Sequence, residues 1–398
     1  MIAFTCLPTV IRNGIVLFIM PGRKAEKIKG GLPLNDFSKK YYRVAIIVFL
    51  VLIGLYYRFK ILVTNGLLGD ERYQYFCNDG PFKKFWLHQM YGDHSSFPGE
   101  YLLTFPLMRI FGQNPYGLAI HKILMTILGF YLLYRLCERY FQTTAGFVVA
   151  FLVVAFNRTL IQHAFEFRPY GILPVLALAS LYFSDLLFRD YERLSRFKKI
   201  MIGLFFFAAM NYHAYGIIMA GLPLIFTGLM YRDASWKEYL SKGCIKYSVL
   251  VMMISLPVWA WYASANHFGM SPLIEMQAIE DPFQYIPHPF NDGVAFARNI
   301  VGNLLGCKIL YPLLTGMISF FLFANKDRGR QLLFSLLLII LPLQLILMVD
   351  LKSSYWFLQR QFVWVMPLFA FLLGWPWDSL VVYFLANSFS KSSAKTIK

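Results

Sequence analysis

Long apolar runs separated by short polar segments fill the chain from residue 42 to residue 378. A helix needs about 20 apolar residues to cross the hydrocarbon core of a bilayer, and several of these runs reach that length. We predict about ten spanning helices, with expected ranges 42–63, 115–136, 143–157, 168–188, 200–213, 214–230, 247–263, 301–325, 331–349 and 359–378. The pattern therefore predicts an all-α, polytopic membrane protein.

The composition supports this class and excludes others. Of the 398 residues 58% are hydrophobic and 15% are charged, whereas soluble domains have about 45–50% apolar and about 25% charged residues. The net charge of +17 does not indicate a nucleic-acid partner, because the basic residues lie in short clusters between apolar runs. The five cysteines show no C-x-x-C spacing, which gives no sign of a zinc site or a disulfide framework.

The distribution of charge predicts how the chain is threaded. With alternating spans, the basic loops fall on one side, which is the side expected to face the cytoplasm; they contain Arg135, Arg139, Arg189, Arg193, Arg196, Lys198, Lys199, Arg232, Lys237, Lys242, Lys246, Lys326, Arg328 and Arg330. Most carboxylates fall on the other side. We therefore expect a multi-pass protein of the inner or plasma membrane whose active site faces away from the cytoplasm.

The chain divides into three predicted parts. Residues 1–41 form a cytoplasmic or interfacial segment, 42–378 the transmembrane domain, and 379–398 a short basic cytoplasmic tail. Two outer segments are long. Residues 64–114 contain apolar stretches too short to span, which suit interfacial helices, and residues 264–300 are rich in proline and suit an irregular loop.

Adjacent carboxylates follow the first apolar run directly. Asp70 and Glu71 lie where the chain is expected to leave the hydrocarbon. Carboxylates at that depth are candidates for chemistry on a lipid-borne substrate. The alternative is that Gly69-Asp70-Glu71 ends a helix and solvates its terminus.

A second cluster, with Glu166 and Arg168, precedes a helix start marked by Pro169. It places an acid and a base at the depth expected for Asp70, and the alternative is a local ion pair. A third cluster runs from Lys352 to Arg360 before the last apolar run. There Arg360 is either functional or an interfacial anchor.

Together these motifs resemble the GT-C glycosyltransferases of the protein O-mannosyltransferase and aminoarabinose-transferase kind. The resemblance covers about residues 42–378 and rests on Gly69-Asp70-Glu71, Phe97-Pro98-Gly99-Glu100-Tyr101 through Gly112, Glu166-x-Arg168-x-Tyr170, and Arg360-Gln361-Phe362 through Pro367. It implies transfer of a sugar from a polyprenyl-phosphate donor to an acceptor on the non-cytoplasmic face, usually with inversion. Members often have His-Pro-Pro-Leu-Tyr-Tyr at the second motif, whereas this chain has His94 three residues before it.

The resemblance implies roles for the acids. Asp70 corresponds to the family's first-loop acid and would accept the proton of the attacking hydroxyl. Glu71 and Glu166 would orient the acceptor, position Arg168, or join Asp70 in binding a divalent cation. No compact carboxylate cage is legible in the sequence, so we assign no metal and no other cofactor.

The basic candidates would hold the phosphate of the leaving lipid, because arginine binds phosphate with fixed two-pronged geometry. Arg360 and Arg168 are the first candidates, and Lys352 and Arg72 the second. His94 and Tyr170 are further site candidates, to which we assign no role in phosphate binding. The sequence leaves open which sugar is moved and whether the acceptor is a lipid, a glycan or a protein.

The main alternative is a transporter or flippase for a lipid-linked or envelope substrate. Ion-coupled transporters usually place ionisable groups near the bilayer midplane, whereas the charges here concentrate at the outer rim. His121, Lys122 and Lys308 are the exceptions. A membrane O-acyltransferase would need an intramembrane histidine, for which His213 is the candidate, and the pattern disfavours it.

Overall fold

The computed structural model describes residues 36–65, 98–213, 215–230, 242–265 and 362–395, together with residues 67, 71, 72, 75, 79–84, 86 and 240. Regular structure in these residues is helical throughout. The described helices, numbered in chain order, are α1 (Asp36–Asn65), α2 (Pro98–Phe111), α3 (Pro115–Tyr140), α4 (Thr144–Phe156), α5 (Arg158–Gln162), α6 (Leu173–Arg189), α7 (Arg196–Met210), α8 (Gly216–Met230), α9 (Gly243–Ala265) and α10 (Val365–Lys395).

Five of the described helical segments are long and apolar enough to cross a bilayer: Tyr41–Thr64, Pro115–Tyr140, Pro169–Arg189, Gly243–Ala260 and Val365–Val382. They confirm helices at five of the predicted spans. The shorter apolar helices Thr144–Phe156 and Gly216–Leu229 fall on two more, and α7 overlaps the predicted 200–213. The predicted spans 301–325 and 331–349 lie outside the described residues, so the number ten stays a prediction.

Local signals in the sequence set where several helices begin. The Asn114 side chain accepts hydrogen bonds from the N–H groups of Tyr116 and Gly117, and Pro115 occupies the first turn of α3. Asn157 separates α4 from α5 and accepts from Leu160 N–H at 2.9 Å. These side chains satisfy N–H groups that have no partner within the helix.

The connectivity gives the bundle two ends. We call the end that carries Asn157 the Asn157 end, and the other, where α3 turns into α4, the Asp378 end. At the latter, the Asp378 carboxylate accepts from the N–H of Gln142 at 3.0 Å and from the N–H and hydroxyl of Thr143 at 2.5 and 2.7 Å. Asp378 thereby ties α10 to the α3–α4 turn.

Among the described helices, α4 and α10 approach each other closely at Gly146 and Gly374. A Cβ on Gly374 would stand 2.6 Å from the carbonyl oxygen of Gly146, and a Cβ on Gly146 would stand 2.9 Å from that of Gly374. Beside them the rings of Phe141 and Phe371 stack with centroids 5.2 Å apart. In a membrane, burial from water does not drive helices together, and close packing does so instead. Small residues such as these glycines permit that close packing.

We predict that Gly374→Ala destabilises the bundle, because the new methyl group meets backbone that cannot move aside. Overpacking costs about 1–3 kcal/mol. The measurement is thermal unfolding in detergent. Gly221→Ala is the control, since its added Cβ meets the ends of the Met252 and Met210 side chains, at 3.4 Å or more. Equal melting temperatures for the two variants would contradict the prediction.

Candidate active site

Residues 163–172, between α5 and α6, form what we call the site loop. The loop doubles back so closely that a Cβ on Gly171 would lie 2.2 Å from the carbonyl oxygen of Ala164. Arg168 is extended and donates its backbone N–H to the Glu166 carbonyl at 2.7 Å. Pro169, which the sequence predicted to start a helix, opens a short 3₁₀ turn, and α6 itself begins at Leu173.

Glu71 connects the segment after α1 to the site loop. Its side chain is buried, and Oε1 accepts a short hydrogen bond from the backbone N–H of Phe167. The predicted neighbours Glu71, Glu166 and Arg168 therefore do meet at the Asn157 end. Arg72 is directed elsewhere: it is exposed, and its Nε donates to the Leu67 carbonyl at 3.0 Å.

Glu166 forms a pair with a histidine that the sequence analysis did not select. His163 Nδ1 lies 2.6 Å from Glu166 Oε2, and the two side chains remain 22% and 16% exposed. The i, i+3 spacing of the two residues was the available signal. A partly exposed carboxylate and imidazole can exchange hydrogen bonds with hydroxyl groups of a substrate.

Tyr170 is buried beneath this pair. Its ring centroid is 6.1 Å from that of His163 and 6.4 Å from that of His213, in edge-on geometry. The Nδ1 of His213 accepts from Tyr215 N–H at 3.2 Å. His213 therefore supports the turn between α7 and α8.

A buried charged cluster holds the site loop from the other side. Lys122 and Glu100 are both fully buried, with 2.8 Å between Nζ and Oε1. Lys122 also donates to the carbonyl oxygens of Glu166, by a short hydrogen bond, and of Arg168, at 2.7 Å. Sequence reasoning noted Lys122 only as a charge inside an apolar run, and gave it no role.

Glu100 joins α2 to this cluster. Its Oε2 accepts a short hydrogen bond from the Tyr212 hydroxyl, and His121 Nε2 lies 3.5 Å from Oε1. Gly99 permits the contact, because a Cβ there would lie 2.8 Å from Tyr212 Cα. Burial by itself raises the pKa of Glu100, but the charge of Lys122 and the nearby His121 ring outweigh it and lower the pKa to about 2.

A cleft of about 420 Å³, including its open mouth, lies beside the site loop. Its lining is mainly apolar, with His163, Tyr170 and Arg58 among the polar residues. Arg58 is itself buried and donates to the carbonyl oxygens of Val154 at 2.7 Å and Ala155 at 3.3 Å. The guanidinium thus satisfies the end of α4 while forming part of the wall.

Four predicted site residues, namely Asp70, His94, Lys352 and Arg360, lie outside the described residues. Within the described part of the chain, no group of three His, Cys, Asp or Glu side chains is placed to hold a metal ion. Of the predicted site residues, Glu71, Glu166, Arg168 and Tyr170 lie together at the Asn157 end. The structure places four more residues beside them, namely His163, Glu100, Lys122 and Tyr212.

Residues 94–261 match the family of dolichyl-phosphate-mannose-protein mannosyltransferases. The match includes α2, the Glu100–Lys122 pair and the whole site loop, and it confirms the resemblance to GT-C glycosyltransferases drawn from the sequence. The match indicates a membrane glycosyltransferase of the GT-C type. No curated protein and no solved structure matches the chain significantly.

The low pKa of Glu100 predicts an acid-sensitive cluster. Since the pKa is about 2 in the folded protein, below its ordinary value of 4.5, the unfolded chain binds the proton more readily. The stabilisation is therefore complete above about pH 4.5 and is lost as the pH falls toward 2. Unfolding in detergent as a function of pH should show a steeper acid loss for the wild type than for Glu100→Gln; identical slopes would contradict this.

Proposed function

We propose that this protein transfers a sugar, with inversion, from a polyprenyl-phosphate donor to a hydroxyl of a cell-envelope lipid, glycan or protein. The observation that carries the proposal is the contact of Glu71 with Phe167, which joins the first carboxylate motif to the loop of Glu166 and Arg168. Acids and Arg168, the proposed phosphate-binding arginine, are thereby gathered at one end of an apolar bundle. A lipid-linked phosphate is presented at that depth of a bilayer.

Asp70 is the proposed general base. It is bonded to Glu71 in the chain, which contacts the site loop. The acceptor oxygen forms a bond to the anomeric carbon while the bond from that carbon to the phosphate oxygen breaks. The phosphate leaves with the electron pair, and the hydroxyl proton passes to the Asp70 carboxylate.

Arginines neutralise the leaving phosphate in this proposal. Arg168 comes from the site loop and is partly exposed, so a ligand can reach it, and Arg360 is assigned the same role from its motif. Cations placed where negative charge develops lower the barrier most. Lys352 and His94 remain further candidates, whereas the contact of Arg72 with Leu67 gives it a lesser part.

The cleft lies beside the proposed reacting groups and is narrow in this structure. Its apolar walls suit part of a lipid-linked substrate, and His163 with Glu166 at its side offers hydrogen-bonding groups to a sugar or an acceptor. We propose that this end faces away from the cytoplasm. The reason is that Arg139, Arg189 and other basic residues cluster near the Asp378 end, as the positive-inside rule requires of the cytoplasmic side.

The buried charges do not favour a transporter. Ion coupling needs a group that gains and loses a proton or a ligand during the cycle. Lys122 is surrounded by three oxygen atoms, which match its three N–H donors. Arg58 donates to backbone carbonyls at the end of α4. Among the described residues, these intramembrane charges thus have fixed structural partners.

Asp70→Asn should leave a folded, membrane-inserted protein that binds the donor and does not transfer sugar. Loss of a positioned base costs about 100- to 10,000-fold in rate. The assay follows labelled polyprenyl-phosphate sugars into product in isolated membranes. Glu71→Gln is the comparison: Gln keeps a carbonyl oxygen for Phe167 N–H, so its loss should be smaller. Near-normal turnover in Asp70→Asn would remove Asp70 from the base role.

Arg168→Lys and Arg360→Lys should each reduce transfer, because Lys keeps the charge and loses the two-pronged geometry. A lost hydrogen bond to a charged group is worth about 1.5–3 kcal/mol, which corresponds to about 10- to 100-fold in rate. Arg109→Lys is the matched control, since Arg109 is exposed and pairs with Asp79 at 3.9 Å. Full activity in both site variants would refute the phosphate clamp.

A further inference from the structure

One peptide unit of the site loop is held by opposite charges on its two sides. The carbonyl oxygen of Glu166 accepts from the Lys122 ammonium, while the N–H of Phe167, in the same peptide, donates to the Glu71 carboxylate. In a planar trans peptide these two groups point in opposite directions. Lys122 and Glu71 therefore hold both ends of one peptide dipole.

The same ammonium also fixes the peptide between Arg168 and Pro169, two peptide units further along the chain. The Arg168 carbonyl oxygen lies 2.7 Å from Lys122 Nζ. Backbone contacts thus bracket the segment 166–168, which carries the side chains of Glu166 and Arg168. A side chain is attached at the Cα atom, so fixing the peptides around residues 166 and 168 limits the positions that the Glu166 and Arg168 side chains can reach.

Lys122 is itself held in place by Glu100. The carboxylate is fully buried, pairs with Lys122 at 2.8 Å and accepts from the Tyr212 hydroxyl. Helices α2 and α3, the site loop and the turn after α7 consequently meet at one buried point. An ammonium without water around it has little freedom to leave these partners.

Stability alone is a weak reason for such a pair. Replacing a buried ion pair by apolar side chains of similar size is often neutral or stabilising. The two carbonyl contacts, in contrast, need a donor at position 122. The ammonium of Lys122 therefore orients the site loop, which an apolar residue at this position would not do.

We infer that Lys122 is a positioning residue for sugar transfer, which aligns Glu166 and Arg168 through the backbone of the site loop. This rests on the proposed function, because turnover is the quantity that reports it. A displacement of about 1 Å in a reacting group can cost about 100-fold in rate. Removal of Lys122 should therefore reduce kcat far more than it reduces the folded fraction.

The decisive variant replaces the cluster by apolar groups of similar size: Glu100→Met, Lys122→Met and Tyr212→Phe together. The chain offers a matched control at the Asp378 end, where Arg139 pairs with Asp185 and the Tyr140 hydroxyl donates to Asp185 at 2.5 Å. The control variant is Arg139→Met, Asp185→Leu and Tyr140→Phe. Both are compared with the wild type for thermal unfolding, kcat, donor KM and hydrogen exchange of the site loop.

We expect both triple variants to fold, and only the first to lose about 100-fold in kcat and to exchange site-loop amides faster. Wild-type kcat in the first variant, or equal losses in both, would overturn the inference. If the first variant does not fold, Lys122→Met and the control Arg139→Met are compared at a temperature where both are folded. A kcat loss specific to Lys122→Met supports the inference, whereas equal losses, or wild-type kcat in Lys122→Met, overturn it. A wild type that uses no polyprenyl-phosphate sugar would instead refute the proposed function.

Discussion

Backbone polar groups that are shielded from water must find partners inside the protein, and this constraint is most severe within a bilayer. Helices satisfy it along their length but leave open groups at their ends. In this bundle, charged side chains fill those positions. Arg58 donates to the last carbonyls of α4, Asp378 accepts from the start of α4, and Lys122 and Glu71 hold the site loop. The irregular loop can persist beside an apolar core because its peptides are satisfied in this way.

The helices of the described residues were largely predictable, because helix signals are local. Apolar length indicated α1, α3, α9 and α10, and Pro169 marked the turn that leads into α6. The meeting of Glu71, Glu166 and Arg168 was predictable in outline, since alternating spans bring the two polar segments to the same side. Their hydrogen-bond partners were not, because no periodicity specifies which backbone N–H a carboxylate will reach.

The Glu100–Lys122 pair shows where sequence reasoning stops. Glu100 lies in a polar, aromatic segment, and its sequence context indicates a solvent-facing residue. Lys122 lies in an apolar run, where a charged residue is unexpected. The burial of each charge is explained only by its contact with the other, and that contact depends on the angle between α2 and α3. That angle follows from packing, such as the approach of Gly99 to Tyr212, which a single sequence does not encode in readable form.

Burial separates two kinds of charge at the Asn157 end. Glu100 and Lys122 are fully buried, and Glu71 is 7% exposed, whereas His163 and Glu166 retain 22% and 16% of their exposure. The buried residues form their hydrogen bonds with other protein groups and fix the site loop. The side chains of His163 and Glu166 keep exposed surface that a substrate can reach. Such a division suits the proposed transfer, since groups aligned before the substrate arrives need no rearrangement as negative charge develops on the phosphate. In the proposed function, the buried charges of Glu100, Lys122 and Glu71 keep the site loop in one arrangement, while His163 and Glu166 contact the substrate.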